Sequence, residues 1–461
     1  MMRALYKILG ILLSALLIAS LIACSATSKG LEFRYKNDKY VASLLTEEPP
    51  VYPVANFIVF SDPHIFSPEL GMEGAALDEY LSEDRKLLRE STKILESLIE
   101  TIKKETADFV IIPGDLTKDG ERICHELCAS YLSQIEASGK QVYVVPGNHD
   151  ILNPRANSFN SDTTTPVPSI IPDEFSQIYQ AFGFDEALYQ DTASLSYVAE
   201  PQDGLWLLAL DACRYKENPG KDEAVTDGAF SVETLNWVER MLIEATQQRK
   251  AVMVMMHHGV VEHYKGQEKY FGEYIVDDYL EISQLFAAYN VRLVFTGHYH
   301  AQDITMVRFP GENNFLLDIE TGSLVTYPCP YRLVAVTKTQ KLVIRSGRVT
   351  AIAGYPTGFQ DYAWNYCESG IASIAARAIE DYGVKSDAAE VLAKQVGAAF
   401  LAHYAGDEKL SAGQSAISSK GTGFRGWIVV FSRKGLVKEL WHDLSPPDNN
   451  VTIDLKTGQT D

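Results

Sequence analysis

Five apolar, strand-like runs in this chain each stop at a short polar cluster, and this pattern constrains the fold more than any other feature. The runs are short and rich in Val, Ile, Leu and Phe, which is typical of strands buried on both faces of a parallel sheet. The carboxyl ends of such strands meet at one edge, where ligands bind in open α/β proteins. The runs and the clusters that follow them are 54–61 with Asp62-Pro63-His64, 109–112 with Gly114-Asp115, 141–145 with Gly147-Asn148-His149-Asp150, 251–256 with His257-His258, and 291–295 with Gly297-His298-Tyr299-His300.

Between these runs the apolar residues recur at helical spacing, so the chain alternates strands and helices up to about residue 300. From about residue 304, four strand-like runs follow one another closely with short turns and no helices. They predict an antiparallel sheet packed against the first sheet. We therefore predict an α/β fold in which two sheets form a sandwich flanked by helices. The helices are expected over 87–102, 123–135, 231–248 and 276–289, with a further strand over 205–210.

Nearly every residue in the five clusters is of a type that binds metal ions, and the clusters hold six of the chain's ten histidines. In an extended chain, residues i and i+2 point the same way. Asp62 and His64 can therefore aim both side chains at one centre, and so can His298 and His300. Carboxylate, imidazole and amide oxygen without thiolate suit divalent Mn, Fe or Zn, and they do not suggest a structural zinc site.

The ordered set D-x-H, G-D, G-N-H-D, H and G-H-x-H resembles the calcineurin-like metallophosphoesterase superfamily over roughly residues 54–350. The resemblance implies a double β-sandwich flanked by helices and two divalent metal ions that share Asp115. It implies that Asp62, His64, Asp115 and His300 hold one ion, and that Asp115, Asn148, His257 and His298 hold the other. Two such ions can bind phosphate oxygens and lower the pKa of a bridging water, so that a bridging hydroxide attacks the phosphoester.

The resemblance also implies that His149 is not a ligand but faces the substrate, where it protonates the leaving oxygen or stabilises the phosphoryl charge. Several branches of the superfamily carry an Asp three residues after the G-D aspartate, and here that position is Lys118. Asp119 or Asp150 then remains to orient His149, unless nothing does. We take His149 and Asp150 as candidate catalytic residues. Arg155 is a candidate substrate-phosphate ligand, with a solvated loop arginine as the alternative.

The amino terminus predicts export. Arg3 and Lys7 precede an apolar run over 8–23, which is shorter than a helix needs to span a bilayer comfortably. The run ends in Leu-Ile-Ala-Cys24, which resembles the lipobox of bacterial lipoproteins. That resemblance implies a signal peptide over 1–23, a lipidated Cys24 as membrane partner, a tether over 24–50 and a position on the outer side of a bacterial membrane. The alternative is an uncleaved amino-terminal anchor.

The remaining chain divides at about residue 350. We predict a phosphoesterase domain over 51–350 and a small α-rich subdomain over 351–461. The net charge of −20 disfavours nucleic acid as a partner, and with it a nuclease of this fold. The sequence therefore predicts an exported binuclear phosphoesterase acting on a small phosphomonoester or phosphodiester. A non-catalytic lipoprotein that binds metal or a phosphorylated ligand is the alternative, although a pure binder has no need of His149.

Overall fold

The computed structural model describes residues 32–460 except 83 and 312. Its strands are β1 (Ala55–Val59), β2 (Phe109–Pro113), β3 (Gln141–Val145), β4 (Asn157–Asn160), β5 (Thr163–Pro166), β6 (Tyr189–Gln190), β7 (Tyr197–Gln202), β8 (Leu205–Leu210), β9 (Ala251–Met256), β10 (Leu293–Thr296), β11 (Asp303–Arg308), β12 (Phe315–Glu320), β13 (Pro330–Val336), β14 (Lys341–Arg348) and β15 (Asn450–Asp454). Its α-helices are α1 (Arg34–Asn37), α2 (Lys39–Leu44), α3 (Ala75–Ser82), α4 (Ser91–Ile102), α5 (Arg122–Glu136), α6 (Pro172–Ile178), α7 (Val232–Gln247), α8 (Gln267–Phe271), α9 (Tyr279–Ala288), α10 (Phe359–Asp381), α11 (Ser386–Ala405) and α12 (Gly423–Glu439).

Two mixed sheets pack against each other. The first has the strand order β15-β14-β13-β1-β2-β3, and the second has the order β11-β12-β10-β9-β8-β7-β6. Phe57 of β1 stacks on Phe109 of β2 with ring centroids 4.8 Å apart, and it meets Phe295 of β10 edge-on at 5.3 Å. Apolar side chains of both sheets thus form one continuous core. The predicted α/β sandwich of two sheets flanked by helices is confirmed.

The division of the strands between the sheets differs from the prediction. The four strands after residue 302 do not form an antiparallel sheet of their own, because β11 and β12 join the second sheet and β13 and β14 join the first. The parallel strands are also split, with β1 to β3 in one sheet and β8 to β10 in the other. Strand β1 pairs with β13, so that Ala55 lies opposite Val336. Apolar patterning does not specify such a distant partner for β1, because this strand is apolar and almost entirely buried on both faces.

The segment predicted as a tether is partly folded. Phe33 and Val41, at the start of the described chain, are buried in the cluster that also contains apolar residues of α7. The carboxylate of Glu239 on α7 accepts hydrogen bonds from the backbone amides of Arg34, at 2.8 Å, and Tyr35, at 2.9 Å. These contacts satisfy the free amides at the start of α1. The predicted signal peptide and Cys24 lie outside the described residues, and no helix among those described is long and apolar enough to cross a membrane.

The carboxyl-terminal region is rich in helix. Helices α10, α11 and α12 share an apolar cluster with Tyr264 and Tyr299 of the sandwich. The apolar run 426–432 lies within α12. The last strand returns to the sandwich, because β15 pairs antiparallel with β14 and extends the first sheet. The helical subdomain is therefore an insertion between β14 and β15 rather than a terminal appendage.

Candidate metal centre

The ends of β1, β2, β3, β9 and β10 bring the predicted ligands to one edge of the sandwich. Ligand atoms of Asp62, His64, Asp115 and His300 all lie within 4.8 Å of one another, and so do those of Asp115, His257 and His298. Asp115 belongs to both groups, and all six side chains are buried. The Asn148 amide oxygen lies 3.2 Å from Nε2 of His257, which places it beside the second group. The structure thus brings together all seven residues that the sequence predicts as ligands.

The imidazole rings are held with one nitrogen free to face the centre. His257 Nδ1 donates to Pro113 O at 2.8 Å, and His64 Nδ1 contacts Thr117 O at 3.3 Å. These bonds place the proton on Nδ1 and leave the Nε2 lone pair free, as in metal-binding histidines. Nε2 of His64 lies 3.3 Å from Nε2 of His300 and 3.6 Å from Asp115 Oδ2. Lone pairs that converge in this way repel one another unless a cation lies between them, so the donor set fits two divalent ions.

The backbone is strained at these positions. Five of the seven residues have positive φ angles although none is glycine: Asp62 (51°), His64 (38°), Asp115 (49°), His298 (75°) and His300 (70°). Such conformations cost about 1–3 kcal/mol each, and they cluster where function requires them. The glycines of the motifs allow the loops to approach closely. A Cβ on Gly147 would lie 2.1 Å from Asp115 Oδ1, and one on Gly297 would lie 2.4 Å from Asp62 Oδ2.

His149 lies at the rim of the centre and is not in either ligand group. Its ring centroid is 4.9 Å from that of His64, and its side chain is 26% exposed. Nδ1 donates to Lys118 O at 2.8 Å and to Asp119 Oδ1 at 2.9 Å, which leaves Nε2 as the unbonded ring nitrogen. Burial and the Lys86 ammonium lower the pKa of His149, but the carboxylates of Asp115 and Asp119 raise it by more, so the pKa lies above the usual histidine value.

Asp119 is the residue that orients His149. The Lys118 ammonium, which is fully buried, pairs with the Asp119 carboxylate and lies 2.9 Å from Glu121 Oε1. Tyr80 donates at 2.9 Å to Asp119 Oδ2, the same oxygen that Lys118 contacts, whereas His149 contacts Oδ1. Burial raises the pKa of Asp119, but Lys118 and His149 together lower it below the usual value, so the group is ionised. Lys118 stands where several branches of the superfamily carry an aspartate, and it stabilises the carboxylate of the next residue, Asp119.

Asp150, which we took from the sequence as a candidate catalytic residue, has a different position. Its carboxylate accepts hydrogen bonds from the backbone amides of Leu116 (3.0 Å), Thr117 (2.9 Å) and Gly147 (2.8 Å), and from the Thr117 hydroxyl (2.9 Å). These donors occupy both oxygens and turn them away from His149. Asp150 thus holds the loops that carry Asp115 and Asn148 in register. The sequence does not reveal which way a side chain points when it leaves a turn.

A polar cleft of about 640 Å³ opens over His149, Asn148 and Asp119. Arg155 lines its rim, where its guanidinium pairs with Glu223 and its side chain is 50% exposed. Lys86, which the sequence analysis does not single out, is buried and also lines the cleft. Its nearest ion-pair partner is Asp84, at 3.5 Å. A single lysine between motifs carries no spacing signal, and only the fold shows that Lys86 lines the same cleft as His149.

Two further histidines near the motifs do not join either ligand group. His258 is buried with Nε2 2.9 Å from Thr226 O, and its ring lies 4.4 Å from that of His298. It therefore supports a predicted ligand by packing. His263 is also buried, and its Nδ1 lies 2.7 Å from Asp303 Oδ1 in a separate group of charged residues.

Comparison with known proteins agrees with this geometry. The sequence profile of the calcineurin-like phosphoesterase family matches residues 55–302, more than half of the chain. No curated protein sequence matches. Among solved structures, a dimetal phosphatase from Danio rerio is 14% identical, with a TM-score of 0.45, and the match covers 65% of this chain and 97% of that one. The sulfate thiohydrolase SoxB from Thermus thermophilus is also 14% identical, with a TM-score of 0.33 and coverage of 71% and 62%. The family match includes every clustered residue from Asp62 to His300, and the chain belongs to the calcineurin-like phosphoesterase family.

Proposed function

We propose that this chain is a phosphoesterase that uses two divalent metal ions to hydrolyse a phosphomonoester or phosphodiester. The observation that carries the proposal is the position of His149. It lies beside both ligand groups without belonging to either, and its Nδ1 is bonded to Asp119, which leaves Nε2 free. A protein that only binds metal gains nothing from a histidine oriented in this way.

The two ligand groups give each ion a defined set of residues. Asp62, His64, Asp115 and His300 would hold one ion, and Asp115, Asn148, His257 and His298 would hold the other. Mn, Fe or Zn suits these nitrogen and oxygen donors. When bound, such ions neutralise phosphate oxygens and acidify water for attack on phosphorus.

The protein's own groups supply the rest of the chemistry. The Asp119 carboxylate raises the pKa of His149, which favours a proton on Nε2. That proton can pass to the leaving oxygen, while Asp119 stabilises the cation and fixes the ring. The Lys86 ammonium lines the same cleft and would attract and position the phosphoester. Together with the metal ions, this cation would offset the strongly acidic charge of the chain.

The test is turnover with a metal count. The Mn²⁺-loaded chain is assayed with p-nitrophenyl phosphate and with its bis ester, and bound metal is measured by mass spectrometry. We expect about two metals per chain and hydrolysis of at least one ester that EDTA abolishes. In His149→Asn we expect slow turnover with nearly full metal content. Full loading with no turnover on a broad phosphoester panel would instead favour the non-catalytic binding protein.

We also propose that the chain is exported and anchored by lipid on Cys24. The support lies in the sequence, where a basic and apolar segment ends at Leu-Ile-Ala-Cys24. Mass spectrometry of the membrane fraction from a bacterial host should find a diacylglyceryl group on an amino-terminal Cys24. Cys24→Ala should leave the apolar segment uncleaved. An unmodified Cys24 in the membrane-bound chain would favour the uncleaved anchor.

A further inference from the structure

A second cavity lies between the sandwich and the helical insertion. Its volume is about 350 Å³, within the range of small-molecule sites, and its walls are almost entirely apolar. Ile371 and Ile379 of α10, Val396 and Phe400 of α11, and Leu436 of α12 line it. Such a cavity accepts a hydrocarbon chain and excludes a polar substrate.

Two chain segments separate this apolar cavity from the polar cleft. In the first, Asp84 and Lys86 line the cleft, whereas Arg85 between them lines the cavity. In the second, Tyr299 lines the cavity although its neighbours His298 and His300 belong to the ligand groups. The cavity therefore begins one side chain away from the metal centre.

The end of the cavity nearest the metal centre carries a positive charge. Arg85 forms no ion pair with a carboxylate in the described part of the chain, and its Nε is buried without a hydrogen-bond partner there. Its guanidinium lies 5.9 Å from the ring centroid of Tyr404. Tyr274 lines the same end and packs on His298 with ring centroids 4.6 Å apart. The guanidinium meets the side chains of Tyr404 and Tyr274 but pairs with no carboxylate in the described residues. Such a cation at the end of an apolar cavity matches a ligand that joins an anionic group to a hydrocarbon chain.

Helix α12 lines the cavity with Val429 and Leu436, and it also carries a row of aromatic side chains on its exposed face. Phe424, Trp427 and Phe431 are 74%, 50% and 63% exposed, and their rings stack in one row with centroids 6.1 Å and 5.5 Å apart. The helix carries four basic residues and a single acidic one in a chain of net charge −20, namely Arg425, Arg433, Lys434, Lys438 and Glu439. Exposed aromatic residues together with basic side chains are typical of helices that lie in the interface of an anionic membrane.

We propose that the apolar cavity binds the hydrocarbon chain of a phosphoester lipid, taken from an anionic membrane surface on which α12 lies. The lipid phosphate would occupy the neighbouring metal centre, so this inference rests on the proposed function and names its substrate class. The stacked aromatic row provides contact with the membrane, and the cavity provides a path for the chain from that surface to Arg85.

The first experiment measures how binding depends on chain length. Methyl-, hexyl- and dodecylphosphonate are titrated calorimetrically into the full Mn²⁺-loaded chain. Each methylene that the cavity removes from water strengthens binding about threefold to fourfold, so hexylphosphonate, with five more methylenes, should bind about 200- to 1,000-fold more tightly than methylphosphonate. Equal affinities would overturn the proposal. Calorimetry requires no turnover, so a protein that hydrolyses no ester but shows this dependence refutes the proposed function and not the cavity.

A filled cavity provides the matched variant. Ala375 of α10 lines the cavity, whereas Ala398 of α11 is exposed and does not line it. Ala375→Trp should abolish the dependence on chain length while methylphosphonate still binds, and Ala398→Trp should behave like the unchanged protein. Ala375→Leu fills less space and keeps the test decisive if the tryptophan variant does not fold. A chain-length dependence that survives filling in a folded variant would overturn the proposal.

The second experiment tests the membrane surface. Vesicles of equal parts brominated phosphatidylcholine and phosphatidylglycerol should quench the tryptophan emission of the full chain. Trp427→Phe, which preserves the aromatic row, should lose a large part of that quenching and keep its affinity for hexylphosphonate. Equal quenching in Trp427→Phe would show that α12 does not enter the membrane, whatever anchors the amino terminus, and would overturn membrane uptake as the source of the lipid.

Discussion

Replacing Asp119 with asparagine removes the negative charge beside His149 and leaves the volume of the side chain almost unchanged. Asp119 Oδ1 accepts a hydrogen bond from His149 Nδ1 at 2.9 Å. The Asp119 side chain is buried, whereas that of His149 is partly exposed. A hydrogen bond to a charged group is worth about 1.5–3 kcal/mol. If that energy is realised when His149 holds its proton in the transition state, Asp119→Asn lowers kcat about 10- to 100-fold at neutral pH.

The same substitution has a defined effect on the pH profile. Asp119 raises the pKa of His149, so the ring stays protonated to higher pH than it would without this carboxylate. Activity that needs this proton is present below that pKa and is lost as the pH rises through it. Without the carboxylate the pKa falls, and the alkaline limb of the kcat profile moves to lower pH. Metal content should not change, because Asp119 is not in either ligand group.

Glu121→Gln is the matched control. Glu121 also pairs with the buried Lys118 ammonium, at 2.9 Å, but it does not contact the His149 ring. Both variants should lower the melting temperature, because each removes one of the two carboxylates that face a buried cation. Only Asp119→Asn should shift the alkaline limb, measured as kcat from pH 5 to 10 on the better p-nitrophenyl ester. An identical shift in both variants, or none in either, would refute the role given to Asp119.

Three further substitutions test other parts of the centre. His257→Ala removes a ligand from one group only, so metal analysis should find about one ion per chain instead of about two, and an unchanged count would contradict the assignment. Gly147→Ala places a Cβ 2.1 Å from Asp115 Oδ1. It should reduce the metal content and lower the free energy of unfolding in urea by about 1–3 kcal/mol. A normal metal content would show that the two loops can move apart. Lys86→Met should raise KM more than it lowers kcat, whereas an unchanged KM would mean that the ammonium does not meet the phosphoester.

The position of the centre was predictable because it depends on a local rule. Each motif directly follows an apolar strand, and parallel strands carry their carboxyl ends to one edge whichever sheet they join. The prediction that the ligand residues lie at one edge is therefore independent of how the strands divide between the sheets, which the sequence analysis assigned wrongly. That assignment failed because the pairing of Ala55 with Val336 depends on contacts distant in sequence. The sequence predicts a tether around Phe33 and Val41 because two apolar residues in a short polar segment form no periodic pattern that would indicate a buried helix or strand.

The residues around His149 were less predictable. Asp119 and Asp150 both stand near it in sequence, but only the fold shows that backbone amides occupy the Asp150 carboxylate. Lys86 and Arg85 belong to no motif, and they face different cavities because successive side chains of their segment alternate. Side-chain direction in turns and loops is set by tertiary packing, which spacing alone does not encode.

Anomalous diffraction from crystals of the Mn²⁺-loaded chain tests the central claim most directly, because it locates the ions without reference to turnover. We expect two peaks about 3.5–4 Å apart, on opposite sides of the Asp115 carboxylate. One peak should contact His64 and His300, and the other should contact Asn148 and His257. A single peak, or two peaks that do not share Asp115, would contradict a binuclear centre at this edge of the sandwich.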